Sequence, residues 1–528
     1  MPHDFSPDPP QRPSPGAAPI VVIGAGMGGL AAAALLSARG APVLLLERAA
    51  TPGGKLSETM VDGLAIDAGP TVLTMRDVFE QLFADAGSAL TDHLKLRPAE
   101  ILARHAWDRG PGLDLYADPA RSRDAIGMLS GAQDARGFDA FRAEAKRIHD
   151  VLDLSFMRAS RPNPLSLSWR IGPRRIGEIL AIRPYEPMSD ALERHFRDPR
   201  LVQLFGRYAT YCGSSPYRAP ATLMLIADVE QRGVWLVEGG MHRIARALET
   251  VIRGHGAAIR YGAPVAEILE EGGAAAGVRL DSGEVIAAQA VICNADPAAL
   301  ALGRMGDAAR RAVPRARPRD RAFSAMTWLV HGSARGFPLL RHNVFFSPDY
   351  PAEFADLAAG QLPRDPTVYV CAQDRDAALG PGILARGPER LMFIVNAPPL
   401  GDGVGLSPAE IESCETRMFQ RLARAGLTIV AEERAMAIET PADFERRFPG
   451  TGGALYGRAS HGWAAAFRRP GARTRMAGLY LAGGGVHPGA GLPMAALSGR
   501  QAALAWLADR DSMHAFRPAD IAGGISML

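Results

Sequence analysis

The stretch Ile20–Lys55, IVVIGAGMGGLAAAALLSARGAPVLLLERAATPGGK, constrains the fold of this chain more than any other. Ile20–Ile23 is a short apolar run of the kind that makes a fully buried parallel strand. Gly24, Gly26 and Gly29 follow in G-x-G-x-x-G spacing. An Ala/Leu-rich helix runs on to Gly40, and a second apolar strand, Val43–Leu46, ends in Glu47. Together these make a complete βαβ unit. Gly24 allows the tight turn out of the strand. Gly26, with Gly28 beside it, lets backbone approach a pyrophosphate, and Gly29 lets helix and strand pack closely. The helix start presents free N–H groups and a positive dipole end to phosphate. Glu47 stands where a carboxylate accepts hydrogen bonds from ribose hydroxyls, which argues against a 2′-phosphate. The unit predicts an adenine dinucleotide other than NADP.

After Glu47 the chain runs through Pro52 to Gly53-Gly54-Lys55. The glycine pair lets backbone approach the ligand again, and the following cation can neutralise pyrophosphate. This extension resembles the two-dinucleotide-binding-motif flavoproteins. The resemblance implies FAD, held in a Rossmann-type α/β domain, with Arg48 and Gly54 among the contacts. Lys55 departs from the usual Arg and loses bidentate geometry. Leu64–Leu73, LAIDAGPTVL, resembles the segment that closes on the flavin and implies contacts from Val72 and Leu73.

With 528 residues and 47% hydrophobic content, the chain has enough material for two large domains. A formal charge of +3 gives no reason to expect nucleic acid. Positive charge is mostly arginine, since Lys55, Lys95 and Lys146 are the only lysines. Cys212, Cys293, Cys371 and Cys414 are far apart, so neither a metal site nor a disulfide framework is expected. Residues 1–18 lack an apolar core and read as a disordered arm rather than a signal peptide. No apolar run is long enough to span a bilayer.

The chain enters the nucleotide domain, leaves it and returns twice. The expected division is 19–75, 255–300 and 475–508 for FAD, and 76–254 with 301–474 for a discontinuous α+β substrate domain. A tail, 509–528, follows. Within 255–300, a strand ending at Val265 would pack on adenine, and Asn294-Ala295-Asp296-Pro297 would sit at a strand's carboxyl end. Gly137–Phe156 reads as an exposed charged helix. Leu90–Ala117, Met326–His331, Val344–Phe346, Thr367–Cys371 and Met392–Ala397 read as strands of one antiparallel sheet. Residues 162–187 combine Leu165, Trp169 and several isoleucines with Arg170, Arg174, Arg175 and Arg183, a basic amphipathic pattern suited to a membrane face or to a lid.

Gly478–Arg500, GLYLAGGGVHPGAGLPMAALSGR, is the second constellation. Its glycine loop, with Gly484 and Gly485, lets backbone pass against a flat ring. The helix beginning at Leu492, Pro493 and Met494 aims its positive end at the loop. The segment resembles the carotenoid desaturases of the phytoene desaturase type. So do RYATYCGSSPYRAPA at Arg207–Ala221, GVWLVEGGM at Gly233–Met241 and VFFSPDY at Val344–Tyr350. Val486 before His487, and Leu492-Pro493-Met494 after it, resemble the 1-hydroxycarotenoid 3,4-desaturases of purple phototrophic bacteria more than the phytoene desaturases. The resemblance implies FAD-dependent hydride removal from a long acyclic polyene. It also implies a cytoplasmic protein held peripherally on the inner (chromatophore) membrane. With no second G-x-G-x-x-G unit, a quinone or oxygen is the expected electron acceptor.

His487 is the histidine tied to the flavin loop, placed either to take the proton or to brace the loop. Asp67, Asp296 and Glu238 are weaker base candidates. Phe205, Tyr208, Tyr211, Trp235 and Phe345 are candidate tunnel residues. The rival readings are a phytoene desaturase, a flavin amine or protoporphyrinogen oxidase, and a prenyl-lipid-binding chaperone on the same scaffold.

Overall fold

The computed structural model describes residues 18–108, 110–172, 177, 182–375 and 387–515. The expected arm before residue 18, most of the 173–181 stretch and the end of the tail lie outside them.

Strand β1 (Ile20–Ile23), helix α1 (Met27–Ala38) and strand β2 (Val43–Leu46) form the unit read from the sequence. They belong to a five-stranded, all-parallel sheet with Leu479–Leu481, Ala290–Cys293, β1, β2 and Ala258–Arg260 in that order. The order interleaves three distant parts of the chain. Helix α1 is buried along almost its whole length. Its alanines let the sheet, the helix Arg243–Gly254 and the C-terminal helix Leu492–Ala515 all approach it in one core. The helices Arg76–Asp85 and Arg243–Gly254 fall inside the 76–254 range assigned to the substrate part, yet both are packed in this core.

A second sheet has seven strands: Leu427–Glu439, Ser324–Gly336, Glu389–Ala397, Val368–Ala372, His342–Phe345, Ile101–Ala106 and Leu113–Tyr116. It is mixed rather than antiparallel, because His342–Phe345 runs parallel to Ile101–Ala106. The outer strand Leu427–Glu439 was not recognised from sequence; its AEERA centre breaks the apolar alternation that marks strands. Leu90–His93 is a helical turn, and Leu96–Pro98 pairs instead with Trp235–Val237.

Three other segments differ from what the sequence predicts. Val265 begins a strand, Val265–Glu271, rather than ending one. The charged helix expected over 137–156 spans Ala132–Leu152 and is half-buried, because Phe138, Phe141 and Ile148 line up at helical spacing in the second core. The C-terminal helix continues past Ala508 to Ala515, and Asp509 accepts hydrogen bonds from Arg473 and from the Tyr480 hydroxyl.

Candidate active site

One cavity of about 940 Å³ runs from the mouth of the parallel sheet to the face of the seven-stranded sheet. Gly24, Gly26 and Gly28 lie at one end with Glu47, Arg48, Gly54 and Lys55. Val72, Val265, Gly484, Gly485, Leu492, Pro493 and Met494 also line it. Gly29 and Leu73 do not. Gly29 is where α1 crosses β1: a β-carbon there would collide with the Gly24 carbonyl oxygen. Leu73 is buried in the first core, and its carbonyl accepts from the Trp235 amide.

The two glycine loops meet. A β-carbon on Gly28 would lie 2.5 Å from the Gly483 amide nitrogen and 2.6 Å from Asn294 Oδ1. Asn294, at the end of Ala290–Cys293, therefore wedges between the loops, and its Nδ2 donates to the Gly24 carbonyl. Both helix starts at this cradle, α1 and Leu492–Ala515, carry no acidic residue in the first turn, so their positive ends are uncompensated. Glu47 is buried, with Oε2 accepting from the Ala25 amide at 2.6 Å and Oε1 from the Ala49 amide at 2.7 Å. Glycine loops against two helix N-termini, with a fixed carboxylate at the end of β2, fit the pyrophosphate and ribose of a dinucleotide.

Lys55 is anchored by its own contacts: its Nζ donates to the Leu455 carbonyl at 2.6 Å and lies 5.3 Å from the Phe448 ring centre. Burial lowers its pKa, while Asp296 partly offsets the effect. Two arginines that the sequence reading did not single out supply more positive charge. Arg447 lines the cavity and donates to Ser57 Oγ, with its charge partly offset by an ion pair to Glu439. Arg469 lines it too, and donates to the Gly484 and Tyr456 carbonyls. Neither stands in a glycine motif, which is why sequence spacing did not find them.

His487 is 1% exposed and does not line the cavity. Its Nε2 lies 3.0 Å from both the Phe156 and Ala159 carbonyl oxygens, so that nitrogen carries the proton and donates. The Phe156 ring packs edge-on against it. Burial pushes its pKa down to about 4, leaving the ring neutral at physiological pH. Of the weaker base candidates, Glu238 is exposed and away from the cavity. Asp67 is committed to the Met241 and His242 amides. Asp296 does line the cavity, but its Oδ1 caps the following helix through the Ala298 amide.

Of the five candidate tunnel aromatics, only Tyr211 lines the cavity. Phe205 and Tyr208 sit inside the second core, and Phe345 packs behind the large sheet. Trp235 is covered by Arg76, whose guanidinium carbon lies 4.4 Å from its ring centre. The far wall is instead aliphatic and aromatic, with Leu152, Leu223, Ile226, Val229, Met392 and Ile394. Within it stands a polar group, Arg207, Tyr211, Glu230 and Tyr369. Arg207 and Tyr211 both belong to the RYATYCG motif; Glu230 and Tyr369 carry no spacing signal.

Beyond the cavity, Leu154, Leu165, Trp169 and Tyr185 are 75%, 83%, 81% and 70% exposed. They lie on the segments that supply Phe156, Leu167, Ile182 and Pro184 to the cavity wall. Helix Pro164–Ile171 explains the split: Leu167 and Ile171 face inward, while Leu165 and Trp169 face out. Among the described residues, no helix is long and apolar enough to cross a membrane, and no cluster could hold a metal ion. The four cysteines are free.

Comparison with known proteins fits this geometry. The profile of the family described as "Flavin containing amine oxidoreductase" matches residues 27–505. The hydroxyneurosporene desaturase of Rubrivivax gelatinosus is 51% identical over 510 residues, 96% of each chain. That of Cereibacter sphaeroides is 46% identical, covering 93% of this chain and 97% of the relative. The 4,4'-diapolycopene oxygenase of a Methylomonas species is 32% identical over 91% of this chain and 96% of its own. Among solved structures, putrescine oxidase bound to putrescine superposes with a TM-score of 0.59 at 14% identity, covering 93% of this chain and 99% of that one, and shares the fold. With its cofactor thereby established as FAD, the chain belongs to the flavin-containing amine oxidoreductase family and, within it, to the carotenoid desaturases.

Proposed function

We propose that this protein desaturates a long acyclic carotenoid at C-3,4, acting on a 1-hydroxy- or 1-methoxy-carotenoid such as a hydroxyneurosporene. The observation that carries this reading is the single cavity joining a dinucleotide cradle to a long apolar wall. The similarity to hydroxyneurosporene desaturases over nearly the whole chain supports the substrate class.

Gly24, Gly26, Gly28 and the start of α1 would receive the pyrophosphate, with Glu47 on the ribose and Arg48 and Val265 beside the adenosine. Gly54, Lys55, Val72, Gly484 and Gly485 would flank the flavin, with the helix start at Leu492, Pro493 and Met494 facing its anionic edge. When bound, FAD supplies the acceptor for a hydride leaving an allylic carbon beside the polyene, and the adjacent carbon releases a proton as the double bond forms. The apolar wall aligns the chain and excludes water. His487 acts as a brace: it ties the loop after Gly485 to Phe156 and Ala159, and so sets the wall against the cradle.

The exposed Leu154, Leu165, Trp169 and Tyr185, next to residues that line the cavity, support a membrane-facing entrance on the cytoplasmic side. An apolar substrate dissolved in lipid would enter there without crossing water. A membrane quinone or oxygen would take the electrons onward.

Purified, FAD-loaded protein incubated with a hydroxylated acyclic carotenoid tests the reading. The expected result is a red-shifted spectrum from one added conjugated double bond. FAD-loaded protein that causes no shift would favour an amine- or porphyrinogen-type oxidase. A preparation that takes up no FAD would favour a lipid-binding chaperone.

A further inference from the structure

Arg207 is unusual in its surroundings. It lines the cavity, yet among the described residues the groups that act most on its charge are the phenols of Tyr211, Tyr350 and Tyr369, with no carboxylate in an ion pair with it. Its guanidinium is held between two phenol rings, 5.2 Å from the Tyr211 centre and 5.3 Å from the Tyr369 centre. Its side chain makes one hydrogen bond, from Nη1 to the Tyr211 hydroxyl at 3.3 Å. Five N–H donors on a planar fork are thus only partly used by the protein. Tyr211 in turn donates to Glu230 Oε1 at 3.2 Å, and Tyr208 donates to Oε2, so the carboxylate pins the arrangement from behind. A second group points the same way. Tyr350 lines the cavity, is only 5% exposed, and its hydroxyl has no hydrogen-bond partner. Burial, with Glu353 nearby, keeps that phenol protonated and therefore able to donate.

This polar group adjoins the cradle. Tyr369 Oη lies 2.7 Å from Thr71 Oγ1. Thr71 follows Gly69, where a β-carbon would collide with the Lys55 carbonyl oxygen. A short chain of contacts therefore links the G-G-K segment to Arg207. In a 1-oxygenated carotenoid the oxygen is a few bonds from C-3 and C-4. A donor that holds it must stand close to the cofactor end of the cavity, as Arg207 does. A polyene reacting in mid-chain would bring no oxygen there, and these buried donors would then face hydrocarbon at a cost.

We propose that Arg207 and Tyr350 form an end-group site that donates hydrogen bonds to the C-1 oxygen of the substrate. The site sets the register at which C-3 and C-4 meet the cofactor, and it selects oxygenated over plain polyenes. This rests on the desaturase reading above. Because the oxygen acts as acceptor, a hydroxyl and a methyl ether both satisfy it. Tyr211 and Glu230 are positioning residues, acting through Arg207.

The test measures kcat/KM and equilibrium binding for a 1-hydroxylated acyclic carotenoid and its 1-deoxy parent, using FAD-loaded wild type, Arg207→Met and Tyr350→Phe. Wild type is expected to prefer the hydroxylated polyene by about a hundredfold or more, since a site built for an oxygen penalises its absence. Arg207→Met should cut that preference at least about tenfold, and Tyr350→Phe by roughly threefold to tenfold. Both should lose it mainly on the hydroxylated substrate. Should Arg207→Met fail to fold or to hold FAD, Tyr350→Phe decides, since it removes one oxygen without changing ring shape. Preference unchanged in the folded variants, or wild type converting both polyenes equally, overturns the end-group site and leaves the desaturase reading standing. Wild type converting neither polyene defeats the desaturase reading itself, and the end-group site with it.

Discussion

Gly28 and Gly483, near opposite ends of the chain, meet so closely that a methyl group on Gly28 would lie 2.5 Å from the Gly483 amide nitrogen. The contact joins the first glycine loop to the last and closes the cradle. Gly28→Ala is therefore expected to push the loops apart, at a cost of about 1–3 kcal/mol, and to release FAD. Flavin absorbance after gel filtration and the melting temperature check this together. A variant that melts like wild type and keeps its flavin would mean the loops have slack.

His487→Ala removes the donor to the Phe156 and Ala159 carbonyls and leaves a hole behind an edge-on aromatic contact. A stability loss of about 2–4 kcal/mol is expected. Turnover of the fraction still holding FAD should remain within about tenfold of wild type, whereas loss of a general base costs about 10²–10⁴. A fall in that second range, with FAD bound, would make His487 a proton acceptor. The ring also contributes a pH dependence. Its folded pKa of about 4 lies below the ordinary 6.5, so the folded state binds fewer protons in between. The stability this gives is full above about 6.5 and is lost as pH falls through about 4.

Glu353 carries the opposite sign. It is 1% exposed, and burial raises its pKa to about 7 from an ordinary 4.5, even though the Thr367 amide and Asn396 donate to it. The folded state holds the extra proton, so the stabilising contribution is full below about 4.5 and disappears as pH rises through 7. Melting curves of wild type and Glu353→Gln between pH 5 and pH 8 should diverge with pH. The variant should gain relative to wild type by on the order of 3 kcal/mol across the window. A constant difference would show that the carboxylate is already ionised in the fold.

Leu165→Ser and Trp169→Ser remove exposed apolar side chains and should leave the melting temperature nearly unchanged. If this face enters a bilayer, each should weaken co-sedimentation with phosphatidylglycerol-containing vesicles by roughly tenfold. Binding that persists undiminished in the double variant would place the membrane contact elsewhere or nowhere.

The parallel sheet was legible because its signals are contiguous: an apolar strand, glycines at fixed spacing, a helix and an acid occur within one stretch, Ile20–Glu47. The same holds for the loop before Leu492. The large sheet was legible only in part. Its outer strand Leu427–Glu439 has a charged centre, and the parallel pairing of His342–Phe345 with Ile101–Ala106 joins segments far apart in sequence. Pattern matching likewise chose Phe205, Tyr208 and Phe345 for the tunnel, because aromatic content cannot tell a core face from a cavity face.

By itself, the sequence determined the cofactor class and the two glycine loops that line the cavity, because backbone turns and helix starts are set by neighbouring residues. Tertiary structure alone decided the other end of the cavity. Arg207, Glu230, Tyr350 and Tyr369 come from four separate segments and gather around one space only when helices dock on the sheet. It also set His487 against the Phe156 and Ala159 carbonyls and outside the cavity wall, since which carbonyls face its ring depends on a segment more than three hundred residues earlier. Such neighbours are set by packing and register, which no local spacing encodes.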